Sequence, residues 1–165
     1  LPVAFILLTG VGTRLLFAAA QLSRGGSALR QVLTANFLIA RGPKPNPVVA
    51  LRAEGLQAER VATEPYASTE VLAQLAGLEL AEGMVAVQQH GGSNRDLYRE
   101  LEAREAVVRS LALYRWALPR DTTPLAAFIT QVCTGYFDAV VFTSQDQMPD
   151  LFQVAAAHGN VGPVR

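Results

Sequence analysis

A chain of 165 residues that is 50% hydrophobic and 17% charged is long enough to bury a core, and its composition excludes a disordered or fibrous polymer. Its 14 basic and 14 acidic residues cancel, so no global field recruits nucleic acid or an anionic membrane, and charge selectivity must be local. Cys133 is the only cysteine. That rules out an intrachain disulfide or a cysteine zinc cluster and leaves Cys133 as buried filler in a reducing cytoplasm.

The opening LPVAFILL lacks a basic flank and a cleavage site, and no apolar run reaches the roughly 18 residues of a membrane span. Val3 to Leu8 is an apolar strand, and Gly12 to Leu22 carries Leu15, Leu16 and Ala19 at helical spacing before Gly25-Gly26. Asn36 to Ala40 repeats the strand pattern. The proline-rich turn from Pro43 to Pro47 opens a helix that Gly55 ends. Arg60 to Thr63 predicts a short strand, and Ser68 or Thr69 the cap of a helix bearing Val71, Leu72 and Leu75.

Gly83 leads into a strand from Met84 to Gln88, and His90 to Asn94 turns the chain into a helix over Arg95 to Arg104. Ala106 to Trp116 reads as an unusually long extended stretch stopped at Pro119. Thr122 or Thr123 then caps a helix through Val132, Asp138 to Phe142 is a strand, and Pro149 lies in the first turns of a closing helix.

Strands alternating with helices imply an α/β fold, because each parallel crossover needs a helix-length return. Thr9 and Thr143 occupy matching settings, each closing an apolar run before a small residue and a helix. Such an edge binds anions through free N–H groups and the helix dipole. Each threonine serves equally as a helix cap or a ligand donor, and Gly10 and Gly12 admit either close ligand approach or a tight turn.

Several strings in order carry a resemblance: Leu8 to Gly12, Arg41 to Pro45, Glu64-Pro65 with Thr69-Glu70, Val87-Gln88 with Gly91 and Asn94, Leu101 to Arg104, Tyr114 to Pro119, and Phe142 to Ser144. Together they resemble the uroporphyrinogen-III synthase family. The resemblance implies two flavodoxin-like parallel-sheet domains joined by extended β connectors, with a substrate cleft between them. Residues 1–110 would be most of one domain, 111–120 a connector, and 121–165 a fragment of the second. An incomplete chain is expected, since a first strand and first connector have no counterpart here and Val161 to Val164 resembles a later family segment. Glu105 stands where the family has a glycine at a helix C-terminus.

The family's reaction closes hydroxymethylbilane, a linear tetrapyrrole with eight carboxylates, to uroporphyrinogen III with loss of water and inversion of the last pyrrole ring. No cofactor, metal, nucleic acid or membrane is implied, and a cytoplasmic monomer is expected. Suppressing the uninverted isomer a hundredfold requires only about 2.7 kcal/mol between competing barriers, which explains a chain without a conventional catalytic set. By resemblance Tyr114 faces the cleft and assists the departing hydroxyl, although a strand tyrosine also reads as packing. Substrate contacts are expected at Thr9, Gly10, Val11, Gly12, Thr13, Arg41, Gly42, Ser68, Thr69, Gly91, Ser93, Asn94, Thr143 and Ser144.

Other chemistries fit less well. A dinucleotide fingerprint starting at Gly10 needs a third glycine where Leu15 stands, no Gly-Lys-Ser/Thr phosphate loop occurs, and zinc hydrolase motifs are absent. His90 has no neighbouring carboxylate in sequence and is left out of catalysis. The rival that keeps the same architecture is a bilobal module that senses a small anion without turning it over, or a catalytically silent homologue.

Overall fold

The computed structural model describes residues 2–42, 47–91, 94–143 and 147–159. Expectations placed on residues 43–46, on Ser93 and Ser144, and on 160–165 lie outside the described residues. The chain divides into two compact units, Leu1–Trp116 and Ala117–Arg165.

The first unit runs β1 (Pro2–Leu7), α1 (Gly10–Leu22), α2 (Gly26–Thr34), β2 (Phe37–Ala40), α3 (Pro47–Ala53), β3 (Arg60–Val61), α4 (Ser68–Ala73), β4 (Met84–Gln88), α5 (Arg95–Glu102) and β5 (Val107–Leu111). All strand pairs are parallel, in the order β3-β2-β1-β4-β5. The expected α/β architecture is therefore present as a doubly wound sheet. Flavodoxin itself has the order 2-1-3-4-5, and both arrangements reverse their winding beside the first strand.

Alternation along β1 explains why helices cover both faces. Ala4, Ile6 and Leu8 join Val85 and Val87 of β4 against Val71 and Leu72 of α4 and Leu97 and Leu101 of α5. Phe5 and Leu7 turn the other way, toward Phe17 of α1, Leu33 of α2 and Leu51 of α3. Each fully buried leucine or isoleucine contributes roughly 1.5–3 kcal/mol, so this five-residue run drives both cores at once. Helix α2 is an addition to the elements expected from the sequence; it forms because Leu29, Val32 and Leu33 fall at helical spacing and pack into the second core.

The extended stretch predicted over 106–116 forms a ladder only as far as Leu111. Its partner β4 ends at Gln88, which pairs with Leu111, and the last ladder-like bond is from Gln89 N–H to the Leu111 carbonyl at 3.0 Å. Beyond that point no strand lies alongside among the described residues.

In the second unit α6 (Thr123–Cys133) packs on α7 (Gln147–Ala157) through Ile129, Val154 and Ala155. Asp138 to Phe142, expected as a strand, is not one: no described strand pairs with it, and its apolar side chains are exposed. A strand is defined by its neighbours' hydrogen bonds, so an apolar run alone does not make one. Two local expectations also change. Thr122 holds the N-cap position of α6, as expected, but its side chain makes no capping bond; Asp121 instead accepts from Thr123 N–H at 2.9 Å, and its hydrogen bonds to Thr123 hold its carboxyl below the usual range. Cys133 is exposed, not buried.

Four helices end with the same bond, the N–H of a residue just past the helix returning five positions to a carbonyl: Gly25 to Ala20, Leu56 to Leu51, Ala106 to Leu101, and Tyr136 to Gln131. The residue before each donor is left-handed, with φ of 58° at Arg24, 74° at Gly55, 59° at Glu105 and 72° at Gly135. Two are glycines; Arg24 and Glu105 bear a Cβ that disfavours this conformation. Glu105→Gly is expected to stabilise the first unit by about 1 kcal/mol, read as a higher urea midpoint with unchanged slope.

Candidate functional site

A reversal of winding leaves a crevice beyond the carboxyl ends of the two strands flanking it, here β1 and β4. Five predicted site residues meet at the end of β1. Thr9 caps α1: its Oγ1 accepts from Gly12 N–H at 3.1 Å, while Thr13 Oγ1 donates to the Thr9 carbonyl at 2.8 Å. Thr9, Gly10, Gly12 and Thr13 are buried and Val11 is exposed. The first-turn amides of Gly10 and Val11 have no intrahelical acceptor by position and are directed out of the helix end, which carries partial positive charge.

Tyr114 joins this group from the segment after β5. Its Oη lies 3.0 Å from Thr9 Oγ1, with either oxygen able to donate. The phenol is half-buried and its ring meets that of Trp116 edge-on, with centroids 6.0 Å apart. Trp116 is 56% exposed, yet its ring is held in place. It also meets the His90 ring edge-on, its backbone N–H donates to the Gly91 carbonyl at 3.3 Å, and Gly91 (φ 61°) makes room for it. A Cβ at position 91 would stand 2.1 Å from Trp116 Nε1. Glycine here therefore serves both the left-handed turn and the indole's seat.

Gln88, the last residue of β4, is absent from the sequence candidates. It is fully buried, and its Oε1 accepts from Leu8 N–H at 3.2 Å and Thr9 N–H at 2.9 Å, with Thr9 Oγ1 at 3.4 Å. Its Nε2 donates to the Gln89 carbonyl. The side chain thus satisfies the β1 amides just past the ladder, where an unpaired N–H in a core is costly. A glutamine after three buried apolar residues gives one sequence-level hint, because it sits where the strand's burial persists but its neighbour's ladder has ended.

Other predicted residues lie elsewhere along the same sheet edge. Arg41 follows β2; its backbone N–H donates to the Leu7 carbonyl at 3.0 Å and its Nε to the Tyr66 carbonyl at 2.8 Å, so it ties the β3–α4 loop to the sheet. Gly42 is buried against the Tyr66 ring. Ser68 and Thr69 begin α4 and line a groove with Asp96, Glu100 and Arg104. The cap of α4 is Ala67, whose N–H donates to Glu70 Oε2 at 3.0 Å, so neither Ser68 nor Thr69 is the cap. Asn94 immediately precedes α5. In the second unit, Thr143 is exposed and its N–H donates to Gln147 Oε1 at 3.0 Å, at the start of α7.

Among the described residues no group of three or more His, Cys, Asp or Glu side chains is placed to hold a metal. No described helix is long and apolar enough to cross a membrane.

Fold and edge together define a doubly wound α/β protein with a crevice at the point of winding reversal. The family model described as uroporphyrinogen-III synthase HemD matches residues 2–162, and the chain belongs to that family. A provisionally named uroporphyrinogen-III synthase from Methanothermobacter thermautotrophicus is 34% identical over 95 residues, 58% of this chain and 38% of that protein. The crystal structure of a mutant uroporphyrinogen III synthase from the extremely thermophilic bacterium Thermus thermophilus superposes with a TM-score of 0.67 at 27% identity, covering 92% of this chain and 56% of that one. The chain therefore spans between about two fifths and three fifths of the length of these relatives.

Replacing Gln88 by leucine retains bulk but leaves the Leu8 and Thr9 amides without their acceptor. Gln88→Leu is expected to cost about 2–4 kcal/mol of stability, measured by urea denaturation of the full-length protein.

Proposed function

We propose that these residues form a substrate-holding part of a uroporphyrinogen-III synthase. In this reading it is a cofactor-independent lyase that removes water from hydroxymethylbilane and closes it to uroporphyrinogen III in tetrapyrrole biosynthesis. The observation that carries the reading is the 3.0 Å contact between Tyr114 Oη and Thr9 Oγ1 at the winding reversal. It sets a phenol beside a helix N-terminus, so that one crevice offers an acidic proton and an anion site together.

The substrate needs both. A carboxylate at the Gly10 and Val11 amides gains roughly 0.3–1 kcal/mol from the helix dipole in addition to the N–H bonds. The pyrrole nitrogen's electron pair expels the terminal hydroxyl, and a proton donated at Tyr114 Oη lets that group depart as water. Trp116, held edge-on by two rings and half open to solvent, offers an apolar face to a pyrrole. Holding a flexible chain in one fold is sufficient selectivity, since the competing closure need be disfavoured by only a few kcal/mol.

The same proposal takes residues 111–120 as the connector, 121–165 as part of the second domain, and Thr143 and Ser144 as donors there. Arg41, Gly42, Ser68, Thr69, Gly91, Ser93 and Asn94 complete the set of substrate contacts, and the enzyme works as a cytoplasmic monomer. Tyr114→Phe in the full-length protein, supplied with freshly generated hydroxymethylbilane, is expected to slow isomer III formation about a hundredfold, within the usual range for a positioned acid. Unchanged turnover removes Tyr114 from the mechanism.

A further inference from the structure

Resting on the reading of Tyr114 as the group that faces substrate, we infer that Gln88 is a positioning residue that acts through Thr9 to make the phenol a hydrogen-bond donor toward the ligand. The argument is a count of protons and lone pairs. The amide orientation of Gln88 is fixed by its neighbours, two N–H groups facing Oε1 and one carbonyl facing Nε2. Its oxygen has two lone pairs, and the Leu8 and Thr9 amides take both at 3.2 and 2.9 Å.

Thr9 has one hydroxyl proton and two acceptors near it. Gln88 Oε1 is within hydrogen-bonding reach at 3.4 Å but already takes two N–H bonds, whereas Tyr114 Oη is nearer at 3.0 Å. Gly12 N–H occupies one Thr9 lone pair at 3.1 Å. The proton therefore goes to Tyr114 Oη, and the phenol's own proton is left to point at a ligand oxygen. With the opposite order Tyr114 would spend its proton on Thr9 and present lone pairs, which repel a carboxylate or a departing hydroxyl.

Gly12 belongs to the same device. A Cβ there would stand 1.9 Å from Gln88 Nε2 and 2.2 Å from its Cδ. Because Gln88 is fully buried and bonded at both ends, its amide has to leave its place for the methyl to fit. Glycine at position 12 thus keeps the amide that directs the hydroxyl.

In the full-length protein Thr9→Val, which keeps the side-chain shape, is expected to lower kcat for isomer III about tenfold with KM for hydroxymethylbilane altered less than about twofold. Thr9→Ser should restore most of the lost rate. The opposite proton order would free the phenol in Thr9→Val, so an unchanged or higher kcat overturns the proposal. Gly12→Ala is expected to match the Thr9→Val loss, and the double variant to be no slower than Thr9→Val alone; losses that multiply overturn the coupling. Neutron diffraction from deuterated crystals of the unaltered protein decides the point without any variant. A deuteron on Thr9 Oγ1 directed at Tyr114 Oη supports the proposal, and one directed from Thr9 Oγ1 at Gln88 Oε1, or from Tyr114 Oη at Thr9 Oγ1, overturns it. An unaltered full-length protein that yields no isomer III sinks the functional reading alone, because the deuteron position still decides the proton order.

Discussion

One central strand, β1, bears most of the organisation of the first unit. It pairs with β2 on one side and β4 on the other, and its alternate side chains feed two separate cores. A parallel sheet must be covered on both faces, since its crossovers are helical and its strands are apolar throughout. The chain meets that demand by winding α1, α2 and α3 over one face and α4 and α5 over the other. The reversal necessarily falls beside β1, and the crevice is a by-product of covering both faces.

That crevice creates a local problem of its own. Past the ladder, the amides of Leu8 and Thr9 remain buried without a strand to accept them, and the Gln88 side chain takes both. Stability and chemistry are joined there, because the same oxygen that completes the backbone's hydrogen bonding is saturated by doing so. In the proton order inferred above, the neighbouring hydroxyl is then committed to the phenol. Glycines at 12 and 91 make the arrangement possible by leaving space for an amide and an indole respectively.

Much of this is legible in the residues. The run from Ala4 to Leu8 announces a buried parallel strand, Thr9 followed by Gly10 and Gly12 announces a capped helix at a strand end, and the strand expected over Met84 to Gln88 has those bounds in the structure. The parts that are not legible depend on partners distant in sequence. The hydrogen bonds of Gln88 to Leu8 and Thr9 span some eighty residues, and nothing local distinguishes it from a polar strand end. Ala106 to Trp116 and Asp138 to Phe142 have strand-like composition, but the first loses its neighbour at Leu111 and the second has none among the described residues. Thr122 is the cap residue of α6 as expected, but the first-turn N–H of Thr123 bonds to the Asp121 carboxylate, which lies two residues before it.

The two outer strands of the sheet have a consequence for how the protein behaves in concentrated solution. An open sheet margin is a template on which another chain can add, and natural proteins blunt such margins with short strands and charge. At one margin β3 is only two residues long, and its Arg60 donates to the carbonyls of Gln74 and Ala76 with its guanidinium over the Phe37 ring. At the other, β5 carries Arg109 in mid-strand and is largely exposed. Both borders thus resist lateral growth into fibrils, and the hydrophobic register at the centre of the sheet is kept from propagating between molecules.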